Sequence, residues 1–232
     1  MKQINTYICE RLHINKDTGN YNHLYNYHPK TRDELKQIVY KLIKERGNEA
    51  DLNDIDTSEI TDMAELFVKS SFNGDISEWD VSNVTDMNYM FCNSLFTGEN
   101  GDISNWVVSN VEGMNGMFKK SSFNGDISNW DVSKVEDMDH MFYSSSFNGD
   151  ISNWDVSNVK DMSCMFAYSE FNGDISKWDV SNVNYMSYMF KESKFTGENG
   201  DISNWDVSNV QNMSLMFKKS PLQKNPPKWY KE

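Results

Sequence analysis

Tryptophans stand at positions 79, 106, 130, 154, 178 and 205, so successive rings are 27, 24, 24, 24 and 27 residues apart. The two longer steps share one cause, since "FTGENGD" replaces "FNGD" and adds Gly98–Asn100 and Gly197–Asn199. Downstream of each Trp runs V-x-x-M-x-x-M-F, as in Val84, Met87, Met90 and Phe91, and again in Val159, Met162, Met165 and Phe166. The block Asp51–Phe67 keeps this register with Ile55 in the Trp position, Ile60 for Val and Leu66 for the second Met. Trp229 follows Trp205 by another 24 residues in a degraded last copy. A fixed period in the twenties implies a stack in which each repeat is one coil that buries its apolar side against its neighbours. A separate globular core is excluded.

Within a coil, "GDIS" places Ile76 inward and Asp75 and Ser77 outward by strand alternation, which predicts a short strand. Ser82 is placed to cap a short helix with apolar residues at i, i+3, i+6 and i+7, and Ser109 with Glu112 and Ser133 with Glu136 have capping-box spacing. The recurring block "SSFNGDISNWDVSNV.DM..MF" resembles the BspA-like leucine-rich-repeat surface proteins and a related bacterial repeat of unknown function, over roughly residues 48–220. The resemblance implies a right-handed arc with a parallel sheet on one face and short helices on the other, and a surface or adhesion role. The fold expected is α/β: a leucine-rich-repeat-like right-handed solenoid of about seven coils with an N-terminal helical cap.

Residues 1–47 form the expected capping segment, 48–220 the repeats and 221–232 a degenerate C-terminal cap. Thr31 with Glu34 makes a capping box, and Leu35, Ile38, Val39, Leu42 and Ile43 make an apolar stripe. Gly47 is placed to end a helix over about 32–46. "YNHLYNYHP" reads as a short strand ended by Pro29. Three prolines and three lysines in "SPLQKNPPKWYKE" suit a stop to edge pairing.

Net charge is −13, distributed as +4 over 1–47, −21 over 48–217 and +4 over 218–232. Such a field repels nucleic-acid phosphates and anionic membranes, so no nucleic-acid partner is expected. No apolar run is long enough for a membrane span or a signal peptide, which predicts no membrane insertion and a cytoplasmic protein, with the cell or virion surface as the alternative.

Cys9, Cys92 and Cys164 form no CxxC pair, and His13, His23, His28 and His140 are scattered, so neither a metal site nor a cofactor is expected. One aspartate recurs before each Ile: Asp75, Asp102, Asp126, Asp150, Asp174 and Asp201. Stacked roughly 5 Å apart, neighbours would repel by about 0.8 kcal/mol per pair, which demands compensation. Three roles stay open for them: Asx-type turns on the following serine, contacts to a partner's basic groups, or bound Ca²⁺. A second series, Asp80, Asp131, Asp155, Asp179 and Asp206, is broken by Val107, which reads as a turn position tolerant of loss.

Translational copies supply no unique asymmetric cluster, so no catalytic residue and no enzyme activity are expected. Trp and Met are expected in the core. Side chains differ between copies around the second Met, supplying Tyr89, His140, Tyr143, Tyr168, Tyr188, Lys119 and Lys120. Together with the first aspartate series, these are the candidate partner-binding residues. The expected function is a monomeric, non-enzymatic protein-interaction or scaffold module with an unidentified protein partner. The alternatives are a surface or virion adhesin recognising host glycan or protein, and an acidic mimic that blocks a nucleic-acid-binding protein.

Overall fold

The computed structural model describes residues 25–231. The expectations for Cys9, His13, His23 and the first four residues of "YNHLYNYHP" lie outside the described residues. Within them, the repeats stack, and the stacking is legible in the hydrogen bonds of the Met-Phe segment. Tyr89, Phe91 and Asn93 donate their backbone N–H to Asn115, Met117 and Lys119 of the next coil at 2.8, 2.9 and 2.8 Å. The intervening Met90, Cys92 and Ser94 donate instead to Met87, Tyr89 and Phe91 three residues back, at 3.2, 3.0 and 3.1 Å. Alternate donors therefore tie the stack together while the others close tight turns within the coil.

This arrangement overturns the expected α/β solenoid of parallel strands and short helices. Among the described residues the elements are one α-helix, α1 (Arg32–Arg46), and a 3₁₀ turn at Pro221–Lys224. Extended pairing is confined to isolated parallel bridges, such as the series Asp62, Asp86, Gly113, Asp137, Asp161, Tyr185 and Asn212. The "GDIS" strand is missing because the aspartate bends the chain. Ser77 N–H bonds Asp75 Oδ1 at 2.9 Å, and Trp79 N–H turns back to Ile76 O at 3.2 Å. The helix expected after Ser82 is missing because its donors serve the neighbouring coil. Ser82 does not cap; its own N–H is taken by Asp80 Oδ1 at 3.0 Å. Of "YNHLYNYHP", the described part contributes one bridge, Tyr27 to Ile55.

The core runs along the stack as columns of like residues. Phe67, Phe91, Phe118, Phe142, Phe166, Phe190 and Phe217 stack at 5.4–5.8 Å between centroids. Phe72, Phe96, Phe123, Phe147, Phe171 and Phe195 form a second column at 6.1–6.4 Å. Offset stacking of this kind adds to plain area burial. A Cβ at Gly149 would sit 2.8 Å from Phe147 Cε2, so glycine there lets the ring lie flat against its own backbone. The expected core Trp residues are buried, with 3–5% exposure from Trp79 to Trp205. Each indole N–H donates to a carbonyl in the preceding coil, for example Trp154 to Ile127 at 3.0 Å and Trp178 to Ile151 at 3.1 Å. Trp229 keeps the bond, to Ile202 O at 3.0 Å. The inward methionines are buried as well.

The N-terminal helix is as expected. Thr31 accepts Glu34 N–H, Gly47 (φ 94) ends it, and Leu35, Val39 and Leu42 face the first coil's core. Charge holds it there too. Arg46 makes two bonds of 2.9 Å to Asp54, Arg32 lies 3.5 Å from Asp62, and Lys30 pairs with Glu59. The basic start of the chain is thus in part a complement to the acidic repeats.

Candidate functional site

The six aspartates of the first series do the same work in every coil. The Oδ1 atoms of Asp75, Asp102, Asp126, Asp150, Asp174 and Asp201 accept the N–H of the serine two residues on, at 2.8–2.9 Å. These are Asx turns. The serine N–H and hydroxyl hold Asp126, Asp150, Asp174 and Asp201 below the ordinary carboxylate range. For Asp150 the bonds from Ser152 outweigh the repulsion of Asp126 and Asp174, which supplies the compensation that the ladder demands. The second series repeats the device, as when Asp131 and Asp179 accept from Ser133 and Ser181. At the Val107 break the side chain simply points out, 56% exposed.

A third series escaped the sequence reading. Asp62, Asp86, Asp137 and Asp161, the D of the D-M pair, accept from the residue two on at 2.7–2.8 Å. Their signal was the same D-x-[S/N/D] spacing at Asp86, Asp137 and Asp161, whereas Asp62 is followed by Ala64 and shows it only through the repeat register. Burial pushes the Asp137 carboxyl up, with Asp161 and Asp139 adding to the effect.

The variable residues lie on a different stretch of the coil, and the structure brings most of them together. Two positions per coil have left-handed backbone. The first holds Tyr89, Gly116, His140, Cys164 and Tyr188 (φ 56–59); the second holds Asn93, Lys120, Ser144, Tyr168 and Glu192 (φ 53–60). Non-glycine residues adopt this conformation at a cost of roughly 1–2 kcal/mol each, so the inter-coil bonds must impose it. Tyr143 lies 5.2 Å from His140 and 5.3 Å from Tyr168, ring to ring. Lys119 sits 5.1 Å over Tyr143, and Lys191 5.1 and 5.3 Å over Tyr168 and Tyr188. Burial, then the neighbouring Tyr168, raises the Tyr143 hydroxyl's pKa. Tyr89 lies two coils away, its ring over Gly116, where an added Cβ would be 2.4 Å from Tyr89 Cε1. Lys120 is exposed at the next left-handed position.

One combination was not anticipated. His140 and Cys164 occupy the same position in adjacent coils, and Asp139 sits beside them. The Asp139 Oδ1–His140 Nδ1 distance is 2.6 Å, and a donor atom from each of the three lies within 4.8 Å of the others. Hydrogen bonds to Asp139 first and Cys164 second raise the His140 pKa to about 9. The legible signal was register: both residues directly precede the second Met, 24 residues apart.

Among the described residues no helix is long and apolar enough to cross a membrane. No curated protein and no solved structure matches the chain. One family matches twice, over residues 34–146 and again over 119–229, which takes in the same recurring frame from α1 to Trp229. The chain is thus a tandem-repeat protein and belongs to the family described as "Mycoplasma protein of unknown function, DUF285".

Proposed function

We propose that the protein is a non-enzymatic protein-interaction module whose partner docks on the face of Tyr143, Tyr168 and Tyr188 with Lys119, Lys191 and His140. The observation that carries this is the clustering itself: aromatic rings and lysines gather on an otherwise acidic stack at positions where the copies differ. Tyrosine offers a large contact area for little rotamer entropy plus a hydrogen-bonding tip, and such residues dominate binding energy at interfaces. The left-handed backbone adds rigidity at His140, Tyr168 and Tyr188, whose N–H groups are tied to the next coil, as in Tyr168 N–H to Lys191 O at 2.8 Å, while Tyr143 closes a turn on His140 O at 3.0 Å. A surface role like that of BspA-like proteins would use the same face. With the Trp rings buried, a glycan reading would have to rest on the tyrosines.

The test is capture from a lysate of the native host by the wild-type chain and by the Tyr143→Ala/Tyr168→Ala/Tyr188→Ala variant, compared by mass spectrometry. A partner held by the wild type and lost by the folded variant is expected. An identical captured set would sink this reading.

A further inference from the structure

The donors offered by Asp139, His140 and Cys164 differ in kind: a carboxylate oxygen, an imidazole nitrogen and a thiol sulfur, from two adjacent coils and within 4.8 Å of one another. We propose that this trio binds a borderline-soft divalent transition ion of the zinc class, through three protein ligands and a fourth position open to water. The inference goes beyond the interaction reading and does not depend on it.

The donor set selects the ion. Thiolate and imidazole favour zinc-like ions over Ca²⁺ and Mg²⁺, which take oxygen shells. One carboxylate and one thiolate supply the two negative charges that offset a divalent cation; binding releases the Cys164 thiol proton and the His140 imidazolium proton, and opens the 2.6 Å Asp139–His140 hydrogen bond. Bonds of about 2.0–2.3 Å in a tetrahedral shell place ligand atoms roughly 3.3–3.8 Å apart. Donors already within 4.8 Å need only side-chain adjustments of about 1 Å to reach that spacing. All three residues are half-buried, so none is closed off from solvent.

The backbone prepares the site. His140 (φ 58) and Cys164 (φ 57) share one left-handed conformation, so their side chains leave successive coils in the same direction. Their N–H groups are fixed to Ser163 O and Ser187 O, each at 2.9 Å. Ligands held this way lose little freedom on binding.

The test titrates the reduced, chelator-treated full chain with Co²⁺, followed by displacement with Zn²⁺. One equivalent should bind with a thiolate-to-cobalt charge-transfer band that Zn²⁺ abolishes. Cys164→Ser should lose the band. His140→Asn, which suits the left-handed backbone, should weaken affinity by roughly tenfold or more. Thermal unfolding of the metal-free variants checks their fold. A measurement that needs no variant is the alkylation rate of Cys164 read by peptide mass spectrometry, which Zn²⁺ should slow at least about tenfold. No charge-transfer band at one equivalent, a band that survives Cys164→Ser, or an unchanged alkylation rate would each overturn the proposal.

Discussion

An aspartate two residues before a serine is the smallest device in this protein, and its chemistry sets the acid response. Asp126, Asp150 and Asp174 have folded-state pKa values held below the unfolded value by the N–H and hydroxyl of Ser128, Ser152 and Ser176. A depressed pKa contributes stability that is present above the unfolded pKa, about 3.9, and lost as pH falls through the folded one. The thermal midpoint is therefore expected to fall from about pH 5 downward. Replacing these three aspartates by asparagine, which keeps a neutral acceptor for the turn, should flatten that acid dependence. An unchanged acid slope in the triple variant would show that other groups set it. The buried Trp is the second residue of consequence. Trp154→Ala should cost about 3–5 kcal/mol in chemical denaturation, because it opens a cavity and leaves the Ile127 carbonyl without its 3.0 Å donor. A loss below about 1 kcal/mol would contradict the core assignment.

The M-x-x-M-F segment shows why the helix expected from its spacing does not form. Apolar residues at i, i+3 and i+6 fit one face of a helix, but they also fit successive three-residue turns, and the two cannot be told apart by spacing alone. A helix would consume every N–H internally. Here Tyr89, Phe91 and Asn93 use theirs on the next coil, and left-handed residues at Tyr89 and Asn93 recur four apart to permit it. The consequence is measurable at an exposed left-handed position. Lys120→Gly (φ 54) should raise stability by up to about 1 kcal/mol, since glycine occupies this conformation without a Cβ clash and keeps the 2.7 Å bond to Tyr143 O. A destabilised variant would mean that the Lys120 side chain, not its backbone, matters. The same left-handed positions hold His140, Cys164, Tyr168 and Tyr188, so the turns that replace the helix also present the candidate binding face.

In the stack as a unit, each coil bonds mainly its two neighbours, which makes stability close to a sum of nearest-neighbour terms. Deleting residues 147–170 removes one 24-residue coil and joins Ser146 to Phe171 in register. The shortened chain should fold with a lower denaturation midpoint, whereas deleting 147–158 breaks the register and should prevent cooperative folding. Circular dichroism with denaturant titration separates these outcomes; equal behaviour of the two deletions would contradict a repeat-by-repeat stack. The 24-residue deletion also removes Cys164 and Tyr168, so it should abolish the Co²⁺ charge-transfer band as well.

Much of this architecture was legible in the primary structure. The Trp, Met and Phe spacing alone implies stacked coils with those side chains inside, and Thr31, Glu34 and Gly47 mark the ends of α1, because burial and capping follow from local residue order. The backbone path within a coil was not legible, since it depends on where each N–H finds its acceptor, and those acceptors lie in the neighbouring coil. The meeting of Asp139, His140 and Cys164 was hidden for the same reason: residues 24 apart become neighbours only when the stacking register brings their left-handed positions one above the other.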